Sequence, residues 1–439
     1  MEVVSGGLAG SPAPVGNDAL EVPDEPPVHR AIAVAGAGIV GLCAALILQR
    51  EGHAVTVYDP LPPGGGASFG NAGLLSIDSC VPIALPGMLR EVPRWLSDSQ
   101  GPLALKPAYA LRALPWLLRW IRAGRMPQVR AASDALCAMH ETALDQYRAL
   151  LGPSHFSELI RTTGQVHVWE GEHEGAGDRI ARELRDRHGI PTEPLDADQL
   201  HEMIPQLSPR IRRGLFFPRN GHTVGPQRMV QVLAALLEQA GGRLRHEKVL
   251  KIIPQSETRY RVLTNVGDRV HDGVVVACGA WSRELLAPLG TSIPLDTERG
   301  YHVSLQGPSF DLPIPVVHKD RGFAATAMET GLRIAGTVEI GGLELPPDER
   351  RANALLHHAQ SLFPSLRFQT HSMWMGFRPS MPDSLPVIDR VPNHPGIFVA
   401  CGHGHFGMTA APMTGRLLAR LVQGRTPEID PLPYRISRF

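Results

Sequence analysis

The chain has 439 residues, and its 43 Lys and Arg balance 43 Asp and Glu. A net charge of +0 lacks the basic footprint of a nucleic-acid binder. The 43% hydrophobic content is enough for a large core, built as two ordinary domains or one long interwoven pair.

Residues 1–28 are rich in Gly, Pro, Ala and acids and lack the basic start and apolar middle of a signal peptide, so a flexible tail is expected there. No apolar run reaches the ~18 residues a membrane span needs. Cys43, Cys80, Cys137, Cys278 and Cys401 lie far apart with no CxxC pair, which suits reduced thiols, a cytoplasmic setting and no metal site.

Residues 31–35 are a short apolar run that predicts a buried parallel strand. Gly36, Gly38 and Gly41 follow at dinucleotide spacing, and apolar residues then recur to Leu48 as on a helix packed against a sheet. Gly36 would permit the tight turn, Gly38 the approach of a pyrophosphate, and Gly41 close helix–strand packing. The pyrophosphate would sit on the helix N-terminus, where free N–H groups and the dipole favour an anion. Gly52 is expected to end the helix. Residues 54–58 read as a second strand closed by Asp59, an acceptor for the adenosine ribose. Three glycines alone are a weak signal; strand, glycines, helix, second strand and terminal acid together are a strong one.

Residues 60–66 are loop punctuation, and Ser68, Gly70, Asn71, Ala72 and Gly73 form a small polar stretch that suits either a cofactor-facing loop or a plain surface one. Residues 81–126 hold Trp95, Trp116 and Trp120, several arginines and no acid after Asp98. They fit either a segment on a membrane surface or a domain-packing helix pair. A surface helix is expected over 131–151, strands over 161–170 and 214–218, and charged helices over 178–188 and 196–203. Residues 224–240 form a strongly amphipathic helix ended by Gly241 and Gly242. Strands follow at 249–253, 260–264 and 270–276, the last running into a small-residue turn, Ala277 to Ser282, that resembles the first strand-to-helix turn. Alternating segments over 299–340 predict an antiparallel sheet, hence an α+β part beside the α/β one. A helix over 348–363, a strand over 397–400 and a glycine-rich turn over 401–409 opening a last helix complete the chain.

Four patterns occur in order: GAGIVG with Asp59, the SFGNAG loop, GFRPSMPDSLPVI, and GHGHFGMT before the final helix. This is similar to the glutathione-reductase-type FAD oxidoreductases of the D-amino acid oxidase family, and within it to bacterial D-amino acid dehydrogenases of the small-subunit type and the D-hydroxyproline dehydrogenase group. One departure is Asp59, where the family more often has Glu. The resemblance implies a Rossmann FAD-binding domain (29–80, 219–295 and 371–439) interwoven with an antiparallel-sheet substrate domain (81–218 and 296–370). It implies FAD, held without a covalent bond. Gly36, Ala37, Gly38, Ile39, Val40 and Gly41 would hold the pyrophosphate, Asp59 the ribose, and Ser68, Asn71, Ala72 and Gly73 the pyrophosphate and flavin side. Val249 would touch adenine, and Cys278, Gly279 and Trp281 would form the second contacting turn.

Reducing a flavin places negative charge near its pyrimidine edge. The N–H groups of Phe406, Gly407, Met408 and Thr409, with Gly404 shaping the turn, would stabilise that charge at a helix N-terminus. Arg378 is the expected partner of a substrate carboxylate, through a two-pronged charge-assisted pair; a salt bridge to Asp383 is the alternative. Tyr301 or His302 would lie over the flavin or sit in the core, and His405 is a further pocket candidate. Hydride transfer from the α-carbon of a neutral amine needs no base at that carbon. The expected reaction is oxidative deamination of a D-amino acid to the imino or 2-oxo acid, with electrons passed to a quinone or other acceptor and contact with a membrane or partner subunit through 81–126. The alternatives are a D-hydroxyproline, D-proline or other secondary-amine oxidase of the glycine or sarcosine oxidase kind, a non-catalytic FAD-bearing subunit, and a nicotinamide-dependent dehydrogenase. The last is disfavoured by the GHGHFGMT turn, for which a nicotinamide has no use.

Overall fold

A computed structural model describes residues 29–98 and 100–439; the tail expected at 1–28 lies outside them. The strand Ala31–Ala35 is buried almost throughout, as its unbroken apolar run requires. It lies centrally in a six-stranded sheet of order Arg243–Arg245, Ala54–Tyr58, Ala31–Ala35, Gly273–Val276, Ile397–Cys401, Val387–Arg390. All neighbours are parallel except the last pair. The helix Ile39–Arg50 buries nearly all its residues because it lies between the sheet and two other helices, Pro226–Gln239 and Gly407–Gln423. Gly415 lets the last helix cross close to the backbone of Cys43 and Ala44.

Parallel alignment has one consequence for function. The carboxyl ends at Ala35, Tyr58, Val276 and Cys401 all lie on one edge of the sheet, so the loops that follow them gather there.

The second layer is a larger sheet whose main path runs Thr370–Ser380, Asp296–Gln306, Gly331–Ile340, Phe323–Met328, Val316–His318, Gln165–Trp169, Arg213–Phe217, Glu193–Asp196. Its core face packs on the helix Glu349–Leu362. The sheet is mixed rather than purely antiparallel. Val316–His318 runs parallel to Gln165–Trp169, and Leu103–Leu105 parallel to Gly331–Ile340. The strand Thr370–Ser380 pairs along its whole length with Asp296–Gln306, so residues 371–380 stand in this sheet and not with the nucleotide half.

Other departures have local causes. The expected surface helix at 131–151 is two helices, Met126–His140 and Ala143–Leu159, and both bury a face against the first core. The expected strand at 270–276 divides at Asp272, whose backbone and carboxylate both bond Ala31. Asp268–His271 then belongs to a small antiparallel sheet and Gly273–Val276 to the parallel one.

Candidate active site

The first turn has the geometry its glycines require. Gly36 adopts φ +115, and a Cβ there would run into the Ala277 carbonyl. A Cβ on Gly41 would strike the Gly36 carbonyl. The loop is braced from both sides. Ala37 N–H donates to Asp59 Oδ2 at 2.7 Å, and Leu61 N–H donates to Asp59 Oδ1 at 2.8 Å. Burial pushes the Asp59 carboxyl up, and these two amides pull it back. Ser68 Oγ accepts from Ile39 N–H at 3.0 Å, which places the glycine-rich 68–73 loop over the helix N-terminus. Asn71 Oδ1 accepts from Gly73 N–H at 2.7 Å and fixes that loop's bend, where Gly73 has φ +79.

The second turn meets the first: Cys278 Sγ donates to Ala35 O at 3.2 Å, and Gly279 has φ +56 with open space where its Cβ would be. Burial pushes the Cys278 thiol up, so it stays protonated. Trp281 stands half-exposed, edge-on to Phe377 at 5.5 Å. Val249 is buried at the start of the small antiparallel sheet, a few residues after Arg245, whose carbonyl accepts from Asp59 N–H.

The third component is the start of Gly407–Gln423. Gly402 and Gly404 adopt φ +83 and +53, and Phe406 packs its ring 5.1 Å from that of His140. Thr409 Oγ1 accepts from Ser76 N–H at 3.1 Å, and Met408 O accepts from Tyr147 Oη at 2.5 Å. The two histidines of the turn part company. His403 is buried against Thr414 Oγ1 at 2.9 Å, and burial pushes it down to about 3. His405 instead reaches the larger sheet.

On that sheet, alternation decides which side chains face the site. The register pairs Glu298 with Arg378, Gly300 with Gly376 and His302 with Trp374, and these six residues share one face. His302 Nδ1 donates to Gly70 O at 3.2 Å and stacks on Trp374 at 5.2 Å, so this face meets the 68–73 loop. Burial, then the Arg333 charge, push His302 down to about 4, so it is neutral at pH 7. The Arg378 guanidinium lies over Gly300 and donates to the carbonyls of Thr337 at 3.0 Å and Gly336 at 3.4 Å. Among the described residues no carboxylate lies within ion-pair distance of it. Asp383, the alternative partner, is taken by Arg438 at 2.7 Å. Burial pushes Arg378 down, and Glu298 raises it through space.

Tyr301 does not join this group. It points to the opposite face, where its hydroxyl donates to Glu339 Oε1 at 3.2 Å and accepts from Asp348 N–H at 2.9 Å. Position 301 is one residue from 302, and a strand puts neighbours on opposite faces.

The sequence reading missed Glu298, Trp374 and Arg333. All three were reachable by extending the alternation of His302 and Arg378 along their strands and to the next one. Arg333 Nη1 donates to Phe69 O at 3.0 Å and Asn71 O at 2.9 Å, tying the glycine-rich loop to the sheet. A groove of about 580 Å³ beside Gln306, Asp311 and Thr330 lies at the other end of these strands and includes none of the residues above.

The family model described as FAD dependent oxidoreductase (DAO) matches residues 31–421. The chain belongs to the DAO family of FAD-dependent oxidoreductases. It is 37% identical over 423 residues to a D-amino-acid oxidase of Bradyrhizobium diazoefficiens, covering 94% of this chain and 100% of that one. It is 31% identical to a D-amino acid dehydrogenase of Rhizobium johnstonii, covering 93% and 99%. Among solved structures, glycine oxidase from Geobacillus kaustophilus aligns with TM-score 0.71 at 23% identity, covering 94% of this chain and 99% of that one. L-proline dehydrogenase from P. horikoshii aligns with TM-score 0.70 at 20% identity, covering 94% and 98%. These two share the fold.

The protein works with FAD, and its own residues fit that group. The cradle at Gly36 and Gly41 has no room for a side chain, Asp59 stands at the end of the second strand, and a second helix N-terminus opens on the same sheet edge.

Proposed function

We propose that the protein oxidises a D-amino acid to the imino acid, which water then converts to the 2-oxo acid and ammonia. The observation that carries this reading is Arg378: a half-buried guanidinium on the site face, bonded among the described residues only to two carbonyls, with donors left for a bidentate carboxylate. The names of the relatives that cover the chain end to end, a D-amino-acid oxidase and D-amino acid dehydrogenases, support an amino-acid substrate of D configuration.

Bound FAD supplies the hydride acceptor. The chain supplies the rest. Arg378 anchors the carboxylate and so fixes which face of the α-carbon is presented. His302 and Trp374, stacked on each other, wall the pocket beside Gly70 and exclude water. The first-turn N–H groups of Gly407, Met408 and Thr409 aim the positive end of a helix at the opposite side.

The electron acceptor we infer is a quinone or another carrier met at a membrane surface. Among the described residues no helix is long and apolar enough to cross a membrane. The helix Ala110–Ala123 nevertheless exposes Leu111 (87%), Leu114, Leu118 and Ile121 as one stripe, with Arg112, Arg119 and Arg122 beside it. Its inner side docks beside the site, where Trp116 Nε1 donates to Ser380 O at 3.2 Å.

The test is anaerobic mixing of the yellow holoenzyme with D- and L-amino acids, D-proline, D-hydroxyproline, glycine and sarcosine. D-amino acids are expected to bleach the flavin fastest. Bleaching by L-forms alone would refute the assignment. Bleaching confined to cyclic or N-methyl amines would move it to the secondary-amine oxidases.

A further inference from the structure

One buried carboxylate on the site face has no part in the account so far. Glu298 lies directly across the strand pair from Arg378, yet its Oε2 is not given to that arginine; it lies 2.7 Å from His405 Nε2. Glu298 is 6% exposed, whereas the His405 side chain is 36% exposed. Burial alone would push the Glu298 carboxyl up. The His405 hydrogen bond, the His405 charge and the Arg378 charge outweigh it and hold the group below the usual range, so it is ionised and can only accept. His405 Nε2 therefore carries the proton of this bond, and in the neutral ring the second nitrogen, Nδ1, keeps its lone pair. Among the described residues Nδ1 has no hydrogen-bond partner.

We propose that His405, held in the Nε2–H form by Glu298, takes the ammonium proton of a substrate anchored on Arg378, and that Glu298 is its positioning residue. This rests on the amine-oxidation reading above. Hydride transfer needs a nitrogen lone pair, and most of an amino acid arrives at pH 7 as the ammonium form. In the step, the N–H bond of the ammonium breaks, its electron pair stays on the substrate nitrogen, and an N–H bond forms at His405 Nδ1. No electron is transferred. The proton then leaves to solvent, to which the ring opens. The placement suits the task, because Glu298 holds His405 at 2.7 Å and is itself the cross-strand neighbour of Arg378, so base and carboxylate anchor stand on one face of the sheet.

The surroundings leave the role to His405. The charged and titratable groups near the turn are Glu298 and, two residues before it on the same face, Asp296, with Arg378 from the paired strand, His140 against Phe406, and His403 two residues back. Burial pushes His140 down to about 4 and His403 to about 3, so both stay neutral across the working range.

Three readouts on the holoenzyme test this. In the wild type, ¹⁵N shifts of His405, assigned with His405→Gln, should show protonated Nε2 and bare Nδ1; the reverse tautomer overturns the proposal. In Glu298→Gln, with FAD content unchanged, kcat/KM should fall on the order of 10²-fold. The acid limb of its pH profile should move to lower pH, because the imidazolium has lost its counter-charge. A lowered plateau with an unmoved limb would make Glu298 merely structural. In His405→Gln, at a half-exposed position that tolerates change, kcat/KM should climb with pH in step with the free amine; a wild-type profile overturns the proposal. If no amine bleaches the wild-type flavin, the amine-oxidation reading fails on its own, and the ¹⁵N tautomer still tests Glu298.

Discussion

Arg378→Leu is the most informative single change. The guanidinium has five N–H donors and gives one each to Thr337 and Gly336. Enough remain for both oxygens of a carboxylate. Two charge-assisted bonds at about 1.5–3 kcal/mol each amount to about 3–6 kcal/mol. At about 1.4 kcal/mol per decade this predicts a loss of roughly 10²–10⁴ in kcat/KM. Leucine also strands two carbonyls at about 1–3 kcal/mol each, a stability cost that Arg378→Lys reduces while still losing the fork geometry. The assay is anaerobic flavin reduction against substrate concentration, with FAD content measured first from the visible spectrum. Arg378→Leu should hold FAD and fail to saturate, and Arg378→Lys should fall between. An Arg378→Leu enzyme that saturates normally, with kcat/KM within about threefold of wild type, would refute the carboxylate role.

Gly36→Ala should purify with little FAD, since φ +115 and the Ala277 carbonyl both exclude a side chain; an absorbance ratio equal to wild type would contradict the cradle. Burial pushes His140 and His222 down to about 4 and His403 to about 3. The unfolded chain therefore binds more protons than the folded one between about pH 6.5 and these values, so stability is full above about pH 6.5 and falls as pH drops below it. Tm measured from pH 7 to 4.5 should decline steadily, and a flat profile would contradict this. Leu114→Glu with Leu118→Glu should abolish sedimentation with anionic vesicles and change folding stability by under about 0.5 kcal/mol. Retained sedimentation would remove that face from the membrane reading.

The nucleotide half was legible because each of its parts is local. The run Ala31 to Ala35, the glycines at 36, 38 and 41, and Asp59 all lie within one strand–helix–strand unit whose residues are neighbours in sequence. Arg378 and the turn at 402–409 were legible as short motifs. What escaped was pairing between distant segments. Nothing near Glu298 in the chain announces His405, 107 positions away, and their bond exists because Ser380, paired with Asp296 at the start of Asp296–Gln306, also bridges to His403 just past Ile397–Cys401. Tyr301 and His302 were equal candidates until the register with Thr370–Ser380 put them on opposite faces. Thr370–Ser380 itself reads as part of the nucleotide half by position, and only its ladder with Asp296–Gln306 assigns it to the other sheet. The exposed stripe Leu111, Leu114, Leu118 and Ile121 has the spacing of a packed helix face, so the sequence pattern alone leaned towards packing and left membrane contact open.

The most direct test of the whole arrangement is a crystal structure of the holoenzyme with a slow substrate or a carboxylate inhibitor bound. The account predicts the flavin between the first turn of Gly407–Gln423 and the face bearing His302, with the ligand carboxylate on Arg378 and its nitrogen towards His405. A carboxylate held elsewhere, or a flavin that does not reach that face, would contradict it.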